Sequence, residues 1–87
     1  MDELDELKAA GALILDVRTP AEFVQGHVPG SLNIPLDQLQ ARVAELDPAK
    51  PLLLCCASGG RSAMAKQFLD REGFALTRNA GPWTRLL

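Results

Sequence analysis

Apolar residues recur along the 87-residue chain in two ways, as near-continuous runs of strand length and as stripes at helical spacing. Ala12-Leu13-Ile14-Leu15-Asp16-Val17 and Leu52-Leu53-Leu54-Cys55, the second preceded by Pro51, are runs of the kind that suits parallel strands buried on both faces. A shorter strand is expected from Ser31 to Ile34 after the Pro29-Gly30 turn, and a last one from Ala75 to Arg78. Helical signals lie between them. Met1 to Ala10 places Leu4 and Leu7 among charges and stops at Gly11. Thr19-Pro20-Ala21-Glu22 reads as a capping box opening a brief helix through Gln25. Pro35 opens a helix with Leu36, Leu39, Val43 and Leu46 on one stripe, stopped by Asp47-Pro48. From Ser62, the apolar face Ala65, Phe68 and Leu69 predicts a helix ending at Gly73, with Phe74 placed for a Schellman contact. Pro82 then starts a short terminal helix holding Trp83, Leu86 and Leu87.

Strands alternating with helices predict a single α/β domain over residues 1–87, a three-layer arrangement of about four parallel strands covered by helices on both faces. Ligands in such folds bind beyond the carboxyl ends of the strands. Composition adds little to this: 47% apolar and 23% charged residues are ordinary for a globular chain. A net charge of −2 with the two signs interspersed provides no basic stripe for nucleic acid. No apolar segment is long enough to span a membrane and no basic leader opens the chain, so a cytoplasmic protein is expected, periplasmic if a leader has been trimmed. The sequence sets no oligomeric state.

The two cysteines are neighbours. Consecutive Cα atoms lie about 3.8 Å apart, short of the roughly 4.4–6.8 Å of ordinary disulfides, so Cys55 and Cys56 are read as free thiols. Cys56 leaves the second apolar run and enters Ala57-Ser58-Gly59-Gly60-Arg61-Ser62, which leads into a helix. Small residues let successive N–H groups turn inward, and the helix start adds its partial positive charge. A thiolate is stabilised in such a cradle, and Arg61 adds a cation. Cys56 is therefore the candidate nucleophile and Arg61 the candidate anchor for an anionic substrate, with Ala57, Ser58, Gly59, Gly60 and Ser62 forming the binding loop. Cys55, one residue earlier, should face the other side of the strand and pack as a small hydrophobe.

Loop length separates two known designs. Tyrosine and Cdc25-type phosphatases place five residues between Cys and Arg, whereas four intervene here. The shorter loop resembles that of the rhodanese superfamily of sulfurtransferases. So does Leu15-Asp16-Val17-Arg18-Thr19-Pro20-Ala21-Glu22-Phe23 followed by Gly26-His27-Val28-Pro29-Gly30-Ser31-Leu32-Asn33-Ile34-Pro35, and Asn79-Ala80-Gly81-Pro82-Trp83 is similar to the family's Gly-and-Trp terminal turn. The resemblance implies a sulfurtransferase without metal or organic cofactor. Sulfane sulfur would pass from thiosulfate or a persulfide donor to cyanide, a thiol or a protein acceptor through a Cys56 persulfide. Family loops often carry extra cations; with Arg61 as the only charge here, slow thiosulfate turnover and a protein persulfide donor are implied. The alternatives are a non-catalytic binding or regulatory module of the same type, or a Cdc25-like phosphatase or arsenate reductase.

The resemblance also implies a framework role for His27, and one histidine with two adjacent cysteines makes a poor metal set. Asp16 and Arg18 are expected at the pocket rim, with Glu22 pairing Arg18 and Trp83 plugging the core. Rhodanese domains usually open with a further strand before the first helix. Four strands are expected here, the fifth missing or replaced by Met1 and its neighbours.

Overall fold

The computed structural model describes residues 2–87. Its sheet holds four parallel strands, β1 (Leu13–Asp16), β2 (Leu32–Asn33), β3 (Leu52–Cys56) and β4 (Thr77–Pro82), in the order β2-β1-β3-β4. The two apolar runs are the central pair, with Leu15 opposite Leu32 on one side and Leu54 on the other. The neighbours of Met1 replace no fifth strand, since Asp2 and the residues after it open a helix, and Met1 itself lies outside the described residues.

Helices cover both faces. One face of the sheet packs Leu15, Val17, Leu52, Leu54 and Cys56 against Leu39, Ala65, Leu69 and Phe74. The other packs Ile14, Leu53, Cys55 and Ala80 against Val28 and Leu86, joined by Leu4, Leu7 and Trp83. Alternation along β3 thus sends Cys56 and Cys55 to opposite cores.

Local signals explain several boundaries. The first helix, α1 (Glu3–Ala9), is capped by Asp2. In α2 (Pro20–Val24) the capping box is complete: Thr19 Oγ1 accepts from the Glu22 N–H at 3.2 Å, and Glu22 Oε1 accepts from the Thr19 N–H at 3.1 Å. The long helix α4 (Gly60–Arg71) ends in a Schellman motif, with Gly73 at φ 90° and the Phe74 N–H donating to the Leu69 carbonyl at 3.0 Å.

The segment after Pro35 and the last strand depart from expectation. The stripe from Leu36 to Leu46 is not one helix but a 3₁₀ turn (Leu36–Gln38), a single α turn α3 (Leu39–Arg42) and a second 3₁₀ turn (Val43–Glu45). The backbone leaves helical values at Gln38 (φ −105°) and Arg42 (φ −113°), yet all four apolar side chains reach the sheet. Packing outweighs the ladder of so short a helix. The last strand runs from Thr77 to Pro82, not Ala75 to Arg78. Its pairing with β3 skips Ala80, since Leu54 faces Asn79 and Cys55 faces Gly81, and Pro82 is tolerated because β4 is an edge strand.

Candidate active site

Cys56 ends β3, and the chain turns from it into α4 through Ala57, Ser58 and Gly59. The turn depends on Gly59, which occupies the left-handed region at φ 102°. Helix α4 begins at Gly60, two residues before the expected start, so Arg61 and Ser62 lie in its first turn. Gly59, at the N-cap, has no side chain to cap this helix. The sulfur of Cys56 stands in that place: Sγ accepts from the Gly59 N–H at 2.9 Å and from the Ser62 N–H at 3.4 Å.

The Ser62 hydroxyl lies 3.4 Å from the same sulfur, 3.1 Å from the Gly59 carbonyl and 2.7 Å from Asn79 Oδ1. It has one proton for three acceptors. Asn79 is itself fixed by the Gly81 N–H, which donates to Oδ1 at 2.9 Å across the β4 irregularity. Burial opposes ionisation of Cys56, but the Ser62 hydroxyl and the N–H groups of Ser62, Gly59 and Ser58 outweigh it and hold the thiol below its ordinary value. On the other face, burial and the nearby Asp16 carboxylate push the Cys55 thiol up to about 12. The structure therefore sets a thiol held down on one face of the sheet against a thiol pushed up on the other.

Arg61 does not stand free. Its Nη1 and Nη2 grip Glu22 Oε1 and Oε2 at 2.6 and 2.9 Å. Arg61, with the Thr19 N–H and hydroxyl, holds the Glu22 carboxyl down at about 2. This corrects the expected Glu22–Arg18 pair. Arg18 turns its side chain to Asp16, with contacts of 2.7 to 3.0 Å, because residues two apart in extended chain share a face. Only the backbone carbonyl of Glu22 approaches Arg18, at 3.5 Å.

A family model described as a rhodanese-like domain matches residues 1–81. The chain belongs to the rhodanese-like domain family. Among curated relatives, the thiosulfate sulfurtransferase PspE of Escherichia coli K12 is 38% identical over 69 residues, covering 77% of this chain and 66% of that protein. The putative sulfur carrier protein YrkF of Bacillus subtilis is 38% identical over 72 residues, covering 83% of this chain and 39% of YrkF. The chain thus spans less than two thirds of either relative's length. The structure of the human single-domain sulfurtransferase TSTD1 superposes with a TM-score of 0.80 at 33% identity, covering 97% of this chain and 88% of that one.

The remaining expected site residues of this rhodanese-like domain serve its framework. Asp16 and Arg18 are 0% and 4% exposed, so they form a buried ion pair behind the loop and not a pocket rim. Arg18 also donates to the Gly26 carbonyl at 2.8 Å and lies 4.7 Å above the Trp83 ring. Trp83 is partly buried against the second core, and a Cβ on Gly26 would come within 3.3 Å of it. His27 is exposed, stacks on Phe23 at 3.8 Å and contacts the Phe23 carbonyl through Nδ1.

Cavities flank the sheet among the described residues, and two of them bear on where the site lies. The larger, about 760 Å³, lies at the amino ends of β1 and β3, bounded by Leu13, Gly30, Asp47 and Leu52. It contains none of the loop residues, and parallel sheets place their chemistry at the other end. The smaller, about 260 Å³, is lined by Val17, Thr19, Pro35, Leu36, Asp37 and Arg61, and it adjoins the loop. Among the described residues, no group of three His, Cys, Asp or Glu side chains converges to hold a metal ion.

Proposed function

We propose that this domain is a sulfurtransferase that carries sulfane sulfur as a Cys56 persulfide. The observation that supports it best is the sulfur of Cys56 held at the carboxyl end of β3 by the Gly59 and Ser62 N–H groups. In the first half-reaction the Cys56 thiolate attacks the outer sulfur of thiosulfate or of a persulfide. The donor's S–S bond breaks, and sulfite or a thiolate leaves with the electron pair. In the second, cyanide, a thiol or a protein nucleophile attacks the outer sulfur of the Cys56 persulfide, and the Cys56 thiolate leaves. This is covalent catalysis in which the cradle stabilises thiolate and persulfide alike. Arg61 supplies a planar fork for the sulfonate end of an anionic donor.

The test is steady-state turnover with thiosulfate and cyanide. Arg61→Ala should lower kcat/KM about tenfold, the weight of one charge-assisted hydrogen bond, and Arg61→Lys should rescue only part. Hydrolysis of a chromogenic aryl phosphate should stay negligible, because the four-residue loop is too narrow for three equatorial oxygens. Phosphatase activity exceeding sulfur transfer in the native protein contradicts the proposal.

A further inference from the structure

The loop has a single cation, and that cation is already engaged by a carboxylate. Glu22 is not a wandering surface residue: its Oε1 also receives the Thr19 N–H and hydroxyl, each at 3.1 Å, so the capping box presents the carboxylate to Arg61 in a fixed orientation. The ion pair is about one third exposed on both sides, at the surface beside the loop. An anion seeking the guanidinium fork has to displace a preorganised competitor and then lie beside its negative charge.

The neighbouring groove strengthens that bias. Val17, Pro35 and Leu36 make it mostly apolar, and its charged lining consists of Arg61 and Asp37. With Glu22 bound to Arg61 just outside that lining, two carboxylates stand against one guanidinium around the groove. An apolar stem fits such a groove better than a compact dianion does.

We propose that Glu22 is a specificity-determining residue, masking Arg61 so that the site disfavours small free dianions such as thiosulfate and favours persulfides borne on an apolar stem. This rests on the sulfur-transfer reading of the site. The favoured step is attack of the Cys56 thiolate on the outer sulfur of an alkyl persulfide. The alkyl thiolate leaves with the electron pair, and any proton on the outer sulfur travels with it.

The experiment has two arms, on the full chain. The first needs no sulfur transfer: Cys56 is alkylated with anionic iodoacetate and neutral iodoacetamide at one pH, and the rate ratio is compared among variants. Glu22→Gln keeps an acceptor for the Thr19 N–H, since glutamine serves the capping box, but removes the charge. Its iodoacetate-to-iodoacetamide ratio should rise about fivefold, the effect of one unit charge at close range in water, and the rise should shrink in high salt. Asp37→Asn, an exposed position outside the capping box, should move the ratio the same way by less. In the second arm, Glu22→Gln should lower KM for thiosulfate by a similar factor, so that the ratio of kcat/KM for thiosulfate to that for an alkyl persulfide donor rises. A flat or lower alkylation ratio in both variants overturns the proposal and makes Glu22 only a holder of Arg61. A raised ratio without any sulfur transfer retains anion screening by Glu22 and removes the sulfurtransferase reading instead.

Discussion

Cys55 and Cys56 differ by one position in the chain and by the whole of their surroundings. Cys55 lies among Ile14, Leu53 and Ala80, whereas Cys56 faces the N–H groups of the loop. Because the Cys56 thiol is held below its ordinary value, its thiolate fraction rises with pH earlier than that of a free cysteine. Alkylation should therefore climb through a midpoint below the usual thiol value of about 8.5 and then level off. Cys55, pushed up to about 12, should stay silent across that range, leaving one labelled site per chain by peptide mapping. Ser62→Ala removes the hydroxyl 3.4 Å from the sulfur and should move the midpoint back toward the ordinary value. Thr77 offers a different residue-level test. Its Oγ1 is buried without a hydrogen-bond partner among the described residues, so Thr77→Val should raise stability by about 1 kcal/mol, read as a higher urea midpoint at unchanged slope. The loop and the opposite facing of the two cysteines were legible in sequence because strand alternation and glycine chemistry act locally. Glu22 and Asn79 as site residues were not, since each meets its loop partner across 39 and 17 positions respectively, which no local rule describes.

The elements that build the site are short, and their ends matter more than their lengths. The capping box of α2 places Glu22, the left-handed Gly59 starts α4, and the skipped Ala80 in β4 lets Asn79 reach Ser62. Gly59→Ala should cost about 1–2 kcal/mol, the strain of an L-residue in the left-handed region, visible in a urea titration. It should also slow alkylation of Cys56, because the Gly59 N–H is aimed at the sulfur. Stop signals made of glycine and proline located the end of α4 well, since a Schellman motif has few alternatives. They misplaced β4, because Gly81-Pro82 reads as a terminator and only the edge position of the strand allows it to continue. The broken segment from Leu36 to Glu45 was hidden for another reason: spacings of three and four satisfy 3₁₀ and α turns alike.

For the molecule as a whole, a parallel sheet collects the carboxyl ends of its central strands β1 and β3 at one end, so Asp16 lies opposite Cys55 in register and next to the start of the loop. The buried Asp16–Arg18 pair ties β1 to the Gly26 turn and, through Trp83, to the chain's last turn. Asp16→Asn would leave the Arg18 charge uncompensated, at a cost of about 3–5 kcal/mol. That is a large share of the stability of so small a domain, and the expected result is a strongly reduced or lost unfolding transition. The α/β class and the parallel sheet follow from alternating runs, but the strand order does not, because pairing partners are chosen by packing between distant segments.

The persulfide itself is the most direct test of the whole account. Intact-mass analysis after treatment with excess thiosulfate or an alkyl persulfide should show a species heavier by one sulfur atom, returned to the starting mass by cyanide or dithiothreitol. Cys56→Ser should abolish that species, and Cys55→Ser should largely preserve it. Sulfur carried on Cys55, or no sulfur adduct with either donor on the folded native protein, would contradict the account.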